Sequence, residues 1–127
     1  MTQIATLLRT LADPNRLRIV NVLSHNDLCV CDIQSVLGFS QPFVSRHLAY
    51  LRRAGMVLAR RQGPRMIYSL CLGEAVKQAV RPLLRLAGQE SVTLQSDVRM
   101  LSNRPLKARL KVEGLNTEPD EFASRAA

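Results

Sequence analysis

Apolar residues recur at helical spacing through the first ninety positions, interrupted twice by short runs of β character. Ile4, Leu7, Leu8 and Leu11 lie on one side of a 3.6-residue period and predict a short amphipathic helix over 2–12. Asp13-Pro14 restarts the chain. Asp is a good N-cap and Pro suits the first helical position, so a second helix is predicted over 14–24, with Leu17, Val20 and Leu23 inward and Ile19 and Val22 widening that side. Leu28–Val30 reads as a strand of two or three residues. Cys31 or Asp32 then caps a third helix over 33–37, which stops at Gly38. Ser40 caps a fourth over 41–54, closed by Gly55, with Pro42 in its first turn and Val44, Leu48 and Leu51 facing inward. Met56–Ala59 and Met66–Leu70 are apolar and partly β-branched, and the basic loop 60–65 with its Gly63-Pro64 tip joins them as a hairpin. The helical pattern returns over 74–89, where Pro82 is expected to kink or split it. After Gly88 the periodicity fades. Residues 91–127 read as a loosely ordered tail with about one more helical turn, apart from a folded domain over 1–90.

The fold class that follows is mainly α with a small β-hairpin. Two short helices around Gly38-Phe39-Ser40 make a helix-turn-helix, and the hairpin after it makes the arrangement a winged helix. In such motifs the N-terminal part of the second helix enters the DNA major groove. Here that part offers Ser40, Gln41, Phe43, Ser45, Arg46 and His47. Gln pairs bidentately with adenine, Arg with guanine, and Ser with either. Val44 and Leu48 must point into the core, so Gln41, Ser45 and Arg46 point out. His47 reads either as a base or phosphate contact or as an ordinary surface histidine. Arg52 and Arg53 lie late on the helix and suit phosphate or solvent. On the hairpin, Arg60, Arg61 and Arg65 would reach the flanking minor groove or backbone.

Charge strengthens the DNA reading. The net charge of +8 comes from residues 1–87, which hold 12 basic and 4 acidic side chains, whereas 88–127 hold 6 of each. No acidic residue falls between Asp32 and Glu74, a window that contains Arg46, Arg52, Arg53, Arg60, Arg61 and Arg65. Such a window is the footprint of phosphate contact. With 127 residues and 46% apolar content the chain has enough material for one core. No apolar run is long enough to cross a membrane and the N-terminus has no secretory pattern, so a cytoplasmic protein is expected. No paired carboxylates and no Ser/His/Asp set appear, which argues against an enzyme.

The three cysteines, Cys29, Cys31 and Cys71, do not resemble a secreted disulfide framework. Thiolates are soft ligands for thiophilic ions. The Cys29-Val30-Cys31 spacing, where a strand gives way to a helix, lets both sulfurs turn to one side and chelate. A small thiol oxidoreductase would need a thioredoxin-like context, which is absent.

Four ordered segments carry a family resemblance. They are Ala12-Asp13-Pro14-Asn15-Arg16-Leu17-Arg18-Ile19, Cys29-Val30-Cys31-Asp32, the stretch from Ser40-Gln41-Pro42 through Ser45-Arg46-His47-Leu48 to Ala54-Gly55, and Arg61-Gln62-Gly63 followed by Tyr68. Together they resemble the ArsR/SmtB family of metal-sensing repressors, over roughly residues 4–90. The resemblance implies a cytosolic homodimeric winged helix that occupies an inverted-repeat operator in double-stranded DNA and leaves when a soft metal or metalloid binds. It implies a dimer interface from the first and last helices, here the Ile4/Leu7/Leu8/Leu11 face and the Val76–Leu86 region. It also implies no permanent cofactor, with trivalent arsenic or antimony as inducer.

In the arsenic-sensing branch the Cys-Val-Cys-Asp motif is followed two residues on by another cysteine. This chain has Gln34 there. Three readings stay open. Two thiolates suffice, with water, hydroxide or the methyl group of a methylated arsenic in the third place. Alternatively Cys71 completes the trio, if Leu28-Cys29-Val30 lies beside Ser69-Leu70-Cys71; otherwise Cys71 is an inert core cysteine. A ligand from the other subunit or the tail is the third, but no cysteine remains to supply it. The family's His and carboxylate site on the last helix has no counterpart, since the only histidines are His25 and His47. Two alternatives share the fold: a repressor responding to oxidants or sulfide, in which Cys29 or Cys31 joins Cys71, and a constitutive architectural DNA binder.

Overall fold

The computed structural model describes residues 2–107. In chain order these form α1 (Thr2–Leu11), α2 (Pro14–Leu23), β1 (Leu28–Cys29), α3 (Val30–Leu37), α4 (Gln41–Arg53), β2 (Val57–Gln62), β3 (Arg65–Leu70), α5 (Glu74–Glu90) and α6 (Val92–Asn103). The strands make one antiparallel sheet in the order β1-β3-β2. One face of that sheet and the inward sides of α2, α3 and α4 enclose the core. At its centre Ile19, Leu28, Ile33, Val44, Leu48 and Leu51 are shielded from solvent.

Local chemistry explains most boundaries. The Asp13 carboxylate accepts the N–H groups of Asn15 and Arg16, satisfying two donors that the start of α2 leaves open. Ser40 does the same for the Phe43 N–H at the start of α4. Between α3 and α4 the chain turns at Gly38, whose φ of 76° is left-handed and disfavours any Cβ. The hairpin turns on Gly63-Pro64. Gly63 has φ 63°, which a two-residue hairpin loop needs at its first central position.

Three features differ from the sequence pattern. α3 begins at Val30, capped by Cys29, several residues earlier than the cap at Cys31 or Asp32 that the pattern suggests. The strand β1 has two residues, as the pattern allowed. α5 runs through Pro82 as a single helix rather than splitting there.

The largest difference is α6, which stands where a loosely ordered tail was expected. Ser91 caps it by accepting the Leu94 N–H, and it packs against α2, α3 and α5. Its inward positions are Leu94, Asp97 and Leu101. Asp97 breaks the apolar period, but its side chain is only 4% exposed and receives both Nε and Nη2 of Arg18, each at 2.9 Å. The same Nη2 also donates to the Leu37 carbonyl. Leu106 then returns to the core and is buried in it. The remainder of the expected tail, 108–127, lies outside the described residues.

Removing one partner of such a pair leaves a buried charge uncompensated, which costs several kcal/mol. Arg18→Ala is therefore expected to destabilise the fold by about 3 kcal/mol, towards the lower end because the Arg18 head is partly solvated. Urea unfolding, with Asp97→Asn beside it for comparison, checks this.

Candidate nucleic-acid interface and thiol site

Helix α4 carries the candidate DNA-reading side chains. Val44, Leu48 and Leu51 anchor it in the core. Ser40, Gln41 and Arg46 are exposed on its opposite side, and Ser45 is half-buried. Gln41 Nε2 donates to Ser45 Oγ at 3.1 Å, so two candidate base readers are held one helical turn apart. Phe43 is no free reader. Its ring meets Phe39 edge-on at 4.8 Å and His47 at 4.6 Å, and the Arg46 guanidinium stands 5.7 Å from its centroid. This aromatic row stiffens the turn and the first half of α4. His47 is half-buried against Phe43. Partial burial holds its imidazole below the usual value, while the nearby Asp13 carboxylate pulls the other way.

The wing divides the three hairpin arginines. Arg61 is exposed, and Arg65 opens β3 at the tip. Arg60 is placed differently from the sequence expectation. It pairs with Ile67, which in turn pairs with Cys29, so Arg60, Ile67 and Cys29 form one cross-strand row, in which Cys29 and Ile67 make a small buried cluster apart from the main core. Its Nε is enclosed. Burial raises the pKa of Asp27, and the charge of Arg60 opposes that rise, so the two side chains lie near each other. The strict alternation of side chains along a strand explains this: Arg60 and Arg61 must face opposite ways.

The cysteine pair lies at the base of the helix-turn-helix. Cys29 is 2% exposed and is the N-cap of α3, whereas Cys31 is exposed in its first turn. Burial pushes the Cys29 thiol up to about 12. The Asp32 backbone N–H opposes the rise, and the Asp32 carboxylate and the neighbouring Cys31 add to it. Cys29 is therefore a protonated thiol at neutral pH.

Cys71 does not join this pair. The register sets Leu28 against Tyr68 and Cys29 against Ile67, not against Ser69–Cys71 as proposed from the sequence. Cys71 follows Ile67 by four residues, about 13 Å along the strand direction. Its backbone N–H continues the ladder on the other side, donating to the Met56 carbonyl at 2.8 Å. Among the described residues no three His, Cys, Asp or Glu side chains gather closely enough to hold a metal ion.

Among the described residues the candidate donors at this position are the two thiols of Cys29, buried, and Cys31, exposed. The donors are soft and one is accessible.

Known proteins resemble this chain in sequence and fold. The sequence model of the bacterial regulatory protein, arsR family, matches residues 13–58, which hold the cysteine pair and the whole reader helix. Over 102 residues the chain is 36% identical to the arsenic resistance transcriptional regulator ArsR2 of Pseudomonas putida, covering 80% of this chain and 82% of that protein. The chain belongs to the ArsR family. Another ArsR-family relative, the arsenical resistance operon repressor of Escherichia coli strain K12, is 51% identical over 65 residues. That match covers 50% of this chain and 56% of the repressor, so the chain spans little more than half of that relative's length. The homodimeric winged helix-turn-helix DNA-binding domain Mb0332 of Mycobacterium bovis superposes with a TM-score of 0.61 at 29% identity, over 70% of this chain and 82% of that one. This ArsR-family chain thus has a winged helix-turn-helix fold.

Sequence reasoning missed the ties that hold α6 to the reader motif. Besides Arg18 and Asp97, Arg104 Nη1 donates to Ser35 Oγ at 3.1 Å, and the Lys107 N–H donates to Asp32 Oδ1 at 2.8 Å. All these pairs are distant in sequence. The only local signal was a serine cap at Ser91 ahead of Leu94 and Leu101.

Proposed function

We propose that this protein is a metalloid-responsive repressor. It holds an inverted-repeat operator as a homodimer and lets go when trivalent arsenic or antimony, methylated arsenic included, bonds to Cys29 and Cys31. The observation that carries this reading is the position of the thiol pair, on the cap and first turn of α3, the helix that sets the reader helix α4. The resistance regulators among its relatives support the same reading. Exposed apolar side chains on α1 (Ile4 and Leu8) and on α5 (Leu83 and Leu86) supply the two helices for the dimer interface. On α1, Leu7 is buried in the core and Leu11 packs against it, which leaves Ile4 and Leu8 for the partner.

The protonated state of Cys29 favours a metalloid over a divalent cation. Arsenous acid, As(OH)3, reacts with two thiols to give HO–As(SR)2 and two waters. Each thiol proton leaves with an arsenic hydroxyl, and no net proton is released. A divalent cation brings no such base, so the Cys29 proton must pass to solvent. Below a thiol pKa of about 12, that proton makes cation affinity rise about tenfold per pH unit.

Arsenite affinity is therefore expected to stay flat between about pH 6 and 8, while cadmium affinity climbs at least a hundredfold over the same range. Competition titrations of the full-length protein at several pH values check this; a steep arsenite profile would contradict the reading. The oxidant-responsive alternative joins Cys29 or Cys31 to Cys71. A disulfide needs Cα atoms within about 7 Å, and the β1–β3 register speaks against that for Cys29.

A further inference from the structure

The segment 92–107 is strapped along the whole of α3. At the C-terminal end of α3, Arg18 ties the Leu37 carbonyl to Asp97 of α6. In its middle, Ser35 receives Arg104. At its N-terminal end one buried carboxylate serves two segments: Asp32 Oδ2 accepts the Cys29 N–H at 3.3 Å, and Oδ1 accepts the Lys107 N–H at 2.8 Å. The backbone of the thiol pair and the end of the strap thus share one side chain. Leu106, buried in the core next to this bond, fixes where the strap must end.

We propose that Asp32 is a positioning residue that couples the thiol pair to the 92–107 strap, so that the strap opposes inducer binding and is loosened by it. This inference rests on the two-thiol reading above. Cys29 and Cys31 flank the start of α3, and one atom bonded to both sulfurs must draw the cap and the first turn together. That movement displaces the Cys29 N–H and the Asp32 side chain one residue past Cys31, and with them the acceptor of the Lys107 N–H. Linkage works both ways: whatever the ligand spends breaking the strap bond is returned to its affinity when the bond is absent.

Lys107→Pro separates this from a structural role. Proline removes the N–H donor and leaves Asp32 and both thiols in place, and the Lys107 side chain is exposed. One hydrogen bond to a carboxylate is worth enough that full-length Lys107→Pro should bind operator as wild type does, yet be half-released at about five- to tenfold less arsenite. Hydrogen exchange on wild-type protein should show protection across 100–107 falling about tenfold at saturating arsenite. In Asp32→Ala, which has no side-chain acceptor, that segment should exchange fast already, with arsenite adding nothing.

Equal release midpoints for wild type and Lys107→Pro would overturn the coupling. So would unchanged exchange over 100–107 while arsenite binds the thiols and frees the operator; both results leave the two-thiol reading standing. If mass spectrometry under native conditions finds no arsenic on Cys29 and Cys31, both fall together.

Discussion

Arg46→Ala should cost about 1–3 kcal/mol of operator affinity per half-site, a loss of about 5–150-fold, with no change in thermal stability. Arg46 is exposed near the start of α4, and its nearest aromatic neighbour is 5.7 Å away, so it bears little of the fold. Its fork is free to meet a guanine edge bidentately. Gln41→Ala should have a similar effect at an adenine, with an addition: the bond from Gln41 to Ser45 disappears, so Ser45 loses its orientation too. Phe43→Ala should behave otherwise. It removes the ring shared by Phe39 and His47 and so lowers stability along with binding. Fluorescence anisotropy on a labelled operator, paired with thermal melts, separates the two kinds of effect.

Cys29→Ser and Cys31→Ser should each keep operator affinity and lose release by arsenite, shifting the midpoint by at least about a hundredfold. Two arsenic–sulfur bonds to one atom form a chelate, and with one sulfur gone the second bond loses its intramolecular advantage, worth two to four orders of magnitude for linked sites. Typical coupling of about 1–3 kcal/mol between effector and DNA then has nothing to act through. Cys71→Ser should leave the midpoint within about twofold, the additivity expected of a site some 13 Å from the pair. Of the three, Cys29→Ser carries the greater folding cost, because it sets a hydroxyl where a buried thiol packed on Ile67.

The helix-turn-helix and the wing were legible in the sequence because their signals are local. Ser40 and Gly38 bracket the turn, Val44, Leu48 and Leu51 repeat at helical spacing, and Gly63-Pro64 marks the hairpin tip. What escaped depends on partners distant in sequence. Asp97 interrupts the apolar period of α6 and makes it look like tail, and only Arg18, 79 positions away, turns that interruption into packing. β1 is too short for its pattern to fix a register, so the pairing of Cys29 with Ile67, which removes Cys71 from the pair, could not be read from the chain. Arg60 looked like a third wing arginine by composition. Strand alternation sends it to the Cys29 face instead. The candidate site was therefore legible as residue types, while the strand residue set opposite Cys29 was a property of the sheet.

The most direct test is an anaerobic arsenite titration of the full-length protein on its operator, run in parallel with Cys29→Ser/Cys31→Ser and with Cys71→Ser, with operator occupancy as the readout. Wild type and Cys71→Ser should release the DNA along the same curve, at one arsenic per subunit, and the double variant should stay bound throughout. Release of the double variant at wild-type arsenite concentrations, or retention by Cys71→Ser, would contradict a two-thiol switch at Cys29 and Cys31.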